Sequence, residues 1–318
     1  MSMTKAHAKI SILRDLLKRM AHDKIAVCCL LVVIVYTLTA IAVDVYAWNC
    51  RLSETTPIYN QGNMALRYQA PSSAHIAGTD FMGRDVFLRA TAGVSTAIKV
   101  GASASLISAL IGVFLGAFAG YYGGKLDDFV VWVYSTFASM PTLLFILAFA
   151  LLVSKGFLCA PLAKAFAAIA TALNTDSGML ALYLAIGVTG WVTLCRVVRA
   201  ETMKLREAPY IQAAKVAGQS SFKIIFKHIF PNLVHLVIIY FTIRFAYAIM
   251  TEVIVSYLGL GVQLSPSWGV MIADGQDGLW RGIWWEIATA TGFMFFLVLS
   301  LHILGDSLRD LLDPRLKQ

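Results

Sequence analysis

Six stretches of this chain are apolar for long enough to cross roughly 30 Å of hydrocarbon at 1.5 Å of helix rise per residue. They fall near residues 25–45, 97–120, 129–153, 179–197, 233–256 and 284–304. With 58% of the 318 residues apolar and 14% charged, a water-soluble core could not hide so much apolar surface. The expected fold is therefore an all-α integral membrane protein of about six transmembrane helices.

The net charge of +8 would suit nucleic acid, but the positions of the basic residues argue otherwise. Lys5, Lys9, Arg14, Lys18, Arg19 and Lys24 precede the first span, and Arg199, Lys204, Arg206, Lys215, Lys223 and Lys227 fill the segment between the fourth and fifth. Basic loops stay on the cytoplasmic side. Both termini are expected there, with Arg309, Arg315 and Lys317 at the C-terminal end, and no nucleic acid is needed. The first apolar run is too long for a cleaved signal despite Ala40-Ile41-Ala42, so it reads as a retained anchor. Tyr46, Trp48, Trp280, Trp284 and Trp285 are placed where aromatic rings prefer the headgroup layer. Segment 154–178 reads as an outer loop with a short helix. Cys28, Cys29, Cys50, Cys159 and Cys195 form no metal or redox spacing; Cys50 and Cys159 share the outer side, which leaves a disulfide open.

Ala104, Ser108, Gly112, Gly116 and Gly120 recur every four residues along the second span. Small residues on one helix face let another backbone approach closely, so this face is expected to be a helix-packing seam. Arg244 and Glu252 stand inside the fifth apolar stretch, where a charge is costly and should face protein or water. Three readings stay open: a proton or substrate path of a secondary carrier, a polar contact near an outer gate, and, for Glu252, snorkelling to the interface.

Between the fourth and fifth spans, residues 199–231 are too long for a minimal connection and patterned as two short helices. Tyr210 to Ala217 reads as the first, stopped by Gly218. Ser220 or Ser221 caps the second, whose apolar stripe is Phe222, Ile225, Phe226 and Ile229, with Lys223 and Lys227 opposite. Pro231 suits the first turn of the next span. Such a hairpin lies on anionic lipid or docks a cytoplasmic partner.

Gln212-Ala213-Ala214, then Gly218, then His228-Ile229-Phe230-Pro231 resembles the EAA loop of ABC-importer permeases. Gln212 departs from the usual glutamate and Pro209 is also atypical, so no salt bridge from that position follows. Gly78-Thr79-Asp80 with Gly83-Arg84-Asp85-Val86, Gly120-Tyr121-Tyr122-Gly123-Gly124, Arg196 to Glu201, Ser256 to Gly261, Ser267-Trp268-Gly269 and the ending Gly305-Asp306 through Asp313-Pro314-Arg315 are similar to the C-type inner-membrane permease of dipeptide, oligopeptide and nickel importers. The resemblance covers about residues 70–318. It implies a type I ABC-importer-like permease fold. Residues 1–95 would form a leader, first helix and outer segment, and 96–318 a five-helix permease core.

It further implies a transmembrane subunit that forms the path for dipeptides or oligopeptides in a bacterial inner membrane. The expected partners are a homologous permease subunit, two ATPase subunits or domains and an extracytoplasmic substrate-binding protein. The chain itself would bind no cofactor, with ATP and Mg on the ATPases. Glu207, Tyr210, Gln212, Ala213, Ala214, Gly218, Phe222 and Pro231 would couple to the ATPase; Arg84, Asp85, Glu252 and Trp268 would serve the outer gate or binding-protein contact.

The chain lacks a phosphate-binding loop of its own. Gly123-Gly124-Lys125 is followed by Leu126 rather than Ser or Thr, so the glycine pair reads as a tight turn. No HExxH and no catalytic Ser-His-acid spacing occur, and His228 with His235 gathers no further metal ligand, so neither catalytic nor metal residues are expected. Alternatives are an importer of nickel chelates or another small solute, a proton-coupled carrier using Arg244 and Glu252, and a membrane scaffold.

Overall fold

A computed structural model describes residues 23–154, 164, 168, 171, 177–261 and 265–312. Expectations about the leader before residue 23, most of segment 155–176, Cys159 and the last six residues lie outside the described residues. Among the described residues the secondary structure is helical apart from turns and one isolated bridge between Thr79 and Asp85.

Helix α1 spans Lys24–Leu52 and begins where the Asp23 carboxylate accepts from the amides of Ile25 and Ala26, two groups with no partner inside the helix. It continues well past residue 45. After two short 3₁₀ turns, α2 spans Val86–Tyr122, capped at its start by Asp85, which accepts from the Leu88 amide, and ended by Gly123 at φ +67°. The boundary expected at 95/96 falls within α2, which runs unbroken across it.

The third span, expected near 129–153, is not one continuous helix. Two helices, α3 (Gly124–Ser139) and α4 (Thr142–Ser154), meet at a bend of 91°. Pro141 explains it: the ring excludes helical backbone at the preceding residue, and Met140 is extended at φ −89°, ψ 137°. Among the described residues, five helices are thus long and apolar enough to cross a membrane, or six when the bent pair counts as one span.

Helix α5 (Ser177–Arg206) carries the fourth span well into the segment expected to be loop. Helix α6 (Pro209–Val216) follows, with Pro209 in the first turn, where the missing amide hydrogen costs nothing. The second short helix does not stand alone. Residues Ser221–Tyr257 form one 37-residue helix, α7, in which Ile225–Ile229 make a π turn. There the Phe230 amide donates to the Ile225 carbonyl, five residues back; the widened turn lets the helix pass Pro231 without ending. The expected apolar stripe is accordingly split. Ile225 and Ile229 are buried, whereas Phe222 and Phe226 face outward.

Helices α8 (Trp268–Leu279) and α9 (Trp285–Leu312) complete the described chain. The bundle is organised around α2. Along one side its small residues meet α5: a Cβ on Gly112, Gly116 or Gly120 would lie 3.0, 2.6 and 2.6 Å from the backbone oxygens of Trp191, Cys195 and Arg199. Ser108 in the same row donates to the Gly187 carbonyl at 2.7 Å. α1 and α9 join elsewhere, with the Tyr36 hydroxyl donating to the Phe293 carbonyl at 3.0 Å. Leu31, Val35, Leu38, Phe129, Trp132, Phe295 and Phe296 project outward, as apolar surface does when lipid is the solvent.

Candidate functional site

Two parts of the molecule gather side chains that the bundle alone does not require, one at each end of α2.

At the C-terminal end of α2, helix α6 is held across the ends of α2 and α5. Ile211 and Ala214 turn inward against a cluster containing Tyr121, Leu194, Val198, Ile224 and Ile225. Lys215 lies over the Tyr121 ring at 5.5 Å. Gln212 donates to the Arg206 carbonyl at 2.9 Å and to the Glu207 carboxylate at 3.4 Å, satisfying a carbonyl freed by the end of α5. Asn232 ties the other side, donating to the Tyr210 hydroxyl and to the His228 carbonyl. Gly218 closes α6 at φ +72°: its amide bonds the Lys215 carbonyl and the Gln219 amide bonds that of Ala214, the paired pattern of a left-handed helix cap. Nearby, Asp127 and Arg199 form a two-pronged ion pair between α3 and α5.

What α6 leaves outward is as informative. Tyr210, Ala213, Gly218, Pro231 and Phe222 are exposed, and Val216 is 89% exposed. A short rigid helix, clamped on its inner side, thus presents small and apolar groups beyond the bundle.

At the opposite end, residues 78–85 wrap a buried carboxylate. Asp80 accepts from the Met82 and Arg84 amides, from Arg84 Nε at 2.6 Å and from Arg89 Nη1 at 2.7 Å. Arg89 Nη1 also lies 3.6 Å from Asp274 in α8 and 3.8 Å from Glu286 in α9. Burial pushes the Asp274 carboxyl up from its ordinary range, with Arg89 and Arg84 pulling it back. Asp85, besides capping α2, pairs with His75 at 2.8 Å. Trp285 is buried rather than in a headgroup layer, its indole donating to the Thr79 carbonyl; Trp280 and Trp284 remain exposed.

Glu252 does not snorkel. It is 1% exposed and accepts from the Ser256 and Ser267 hydroxyls, each at 2.7 Å, so it anchors the start of α8 to α7. Trp268 is equally enclosed, donating to the Ala90 carbonyl at 2.8 Å and filling the space left by Gly93. Arg244, two turns before Glu252, turns instead toward Ile186 and Gly190 of α5. The two charges do not meet.

Residues 112–318 match the family described as binding-protein-dependent transport system inner membrane component. That stretch includes the Gly112–Gly120 part of the α2–α5 seam, α6 and the whole of α7. The chain belongs to this family. It is 32% identical over 308 residues to the oligopeptide transport system permease protein OppC of Escherichia coli (strain K12), covering 96% of this chain and 92% of that one. The corresponding protein of Bacillus subtilis (strain 168) is 29% identical over 310 residues, with coverage of 97% and 92%. The dipeptide transport system permease protein DppC of the same organism is 31% identical over 249 residues, covering 78% of this chain and 71% of that one.

This inner-membrane permease is therefore a membrane component of a transport system with separate partner components. Of the residues singled out from the sequence, the eight around α6 come together at one end of the bundle. Arg84, Asp85, Glu252 and Trp268 lie toward the other end, Glu252 and Trp268 buried and Arg84 and Asp85 half-buried in pairs with Asp80 and His75. Three members of the buried charge network, Arg89, Asp274 and Glu286, escaped the sequence reading. A signal was available: Arg89 and Glu286 are charged residues at the edges of long apolar runs.

Proposed function

We propose that this permease is one of two homologous transmembrane subunits of an ATP-driven importer for dipeptides or oligopeptides. The second subunit completes the translocation path, and an extracytoplasmic binding protein delivers the solute. ATP and Mg reside on two ATPase subunits or domains, since the chain carries no phosphate-binding loop. Peptide as the solute is supported by the names of the relatives.

The observation that carries this reading is the geometry of α6. Its inner face is locked to α2, α5 and α7, so a force on its outer face moves three helices together. Its outer face offers Tyr210, Ala213 and Val216, beside Phe222, a surface fit for a cleft in another protein. Lys204, Arg206, Lys215, Lys223 and Lys227 at this end support a cytoplasmic location for it and for both termini. Docking that differs between nucleotide states would tilt the spans between inward- and outward-facing arrangements.

Gly218→Val and Ala213→Trp test the docking. No atom lies within 4 Å of a Cβ built on Gly218, so valine acts there through its φ of +72° alone, a conformation β-branched residues resist. Both variants are expected to keep the bundle and to lose transport-coupled ATP hydrolysis and co-purification with the ATPase. Retention of both properties would sink the docking claim. A proton-coupled carrier, by contrast, would take up solute without any ATPase.

A further inference from the structure

Arg244 sits inside the fifth span, and no carboxylate among the described residues pairs with it. Its Nε is buried and makes no hydrogen bond, and its Nη2 reaches the Ile186 carbonyl only at 3.4 Å. The ion pairs among the described residues all lie elsewhere. Glu252, the nearest acid along α7, is committed to Ser256 and Ser267. A guanidinium among apolar spans is costly to keep, and an ordinary packing position would be filled by an uncharged side chain.

The surroundings are shaped to keep it. A Cβ on Gly190 would stand 2.1 Å from Nη2 and 2.4 Å from Cζ, so α5 is notched where the guanidinium lies. Arg244 is nonetheless partly exposed. Phe241 and Val237, one and two turns earlier on the same helical face, line an apolar cleft of about 420 Å³ between α2 and α7. Such an apolar cleft, with a planar cation one turn farther along the same face of α7 and outside the cleft's own lining, suits a solute that is mostly uncharged and ends in a carboxylate, which a guanidinium binds through two parallel hydrogen bonds.

We infer that Arg244 neutralises the C-terminal carboxylate of a peptide as it passes through the spans, and so biases transport toward peptides with a free C-terminus. This rests on the peptide reading above. Arg244 then acts as a recognition point inside the membrane, additional to whatever selection the binding protein makes.

The test uses the complete importer with its partner subunits in proteoliposomes. ATP-driven uptake of di- to pentaalanine and of the matching C-terminal amides is measured at concentrations that saturate the binding protein. The same binding protein serves every arm, so a changed acid-to-amide ratio between wild type and variant belongs to Arg244. Arg244→Gln is expected to lower that ratio about tenfold by slowing the acids, consistent with loss of a charge-assisted pair, and Arg244→Lys to recover part of it. An unaltered ratio in Arg244→Gln overturns the inference and leaves the peptide reading standing. Failure of both variants to co-purify with the second permease subunit also overturns it, making Arg244 a contact between subunits. Wild-type uptake of neither probe overturns the peptide reading, and the inference with it.

Discussion

Gln212 shows how one side-chain atom sets a residue choice. Its amide group donates to the Arg206 carbonyl, something an ionised glutamate cannot do, and Glu207 beside it would repel a second carboxylate. Gln212→Glu is expected to loosen the junction of α5 and α6 by about 1 kcal/mol, seen as faster amide hydrogen exchange over 209–216 with the spans unchanged. Glu252 poses the opposite case, a buried acceptor for two hydroxyls. Glu252→Ala leaves the Ser256 and Ser267 hydroxyls without it and should cost about 2 kcal/mol, whereas Glu252→Gln, which keeps an acceptor oxygen, should cost less; thermal unfolding in detergent separates the two. The sequence marked both residues as notable by type or position. It could not say what Glu252 touches, because Ser267 is 15 residues away along the chain and meets it only when α8 packs against α7.

Among elements, the α2–α5 seam is where the linear pattern was most directly readable. A four-residue repeat of small side chains has one geometric consequence, a narrow groove along a helix, and the structure fills that groove with α5. Gly116→Val would drive a Cβ to within 2.6 Å of the Cys195 carbonyl; the helices would have to separate, at a cost of about 2 kcal/mol. Loss of folded yield and a lower melting temperature would report it, and an unchanged melting temperature would refute close packing there. The bend at Pro141 and the π turn before Pro231 were less legible. Both prolines sit in apolar runs, yet one breaks its helix by 91° and the other lies in a helix that continues. The difference lies in the backbone around them: Met140 is extended, whereas Ile225–Ile229 widen by one residue and keep the helix alive.

Across the whole molecule, the buried charges around Asp80 join parts distant in sequence. Through Arg89, Asp274 and Glu286, residues 78–85 are fastened to α2, α8 and α9 at a single point. Removing one member leaves buried charge uncompensated. Arg89→Met is expected to destabilise the protein by about 3 kcal/mol or more, measured as thermal unfolding in detergent. The rest of the bundle depends on lipid-facing and helix-facing surfaces, so helical content should persist in this variant while α8 becomes protease-sensitive. Retention of wild-type stability would mean that the network contributes little to holding this end together.

Sequence alone determined that the chain crosses a membrane, roughly where, and that one face of the second span packs closely, because these follow from the length of apolar runs and from side-chain size at helical spacing. It also placed the residues of α6 together, since they are neighbours along the chain. Tertiary structure decided which charges are paired. Arg89 finds Asp80, Asp274 and Glu286, Glu252 finds two serines, and Arg244 meets no carboxylate among the described residues, because each outcome is set by helices that meet only after packing.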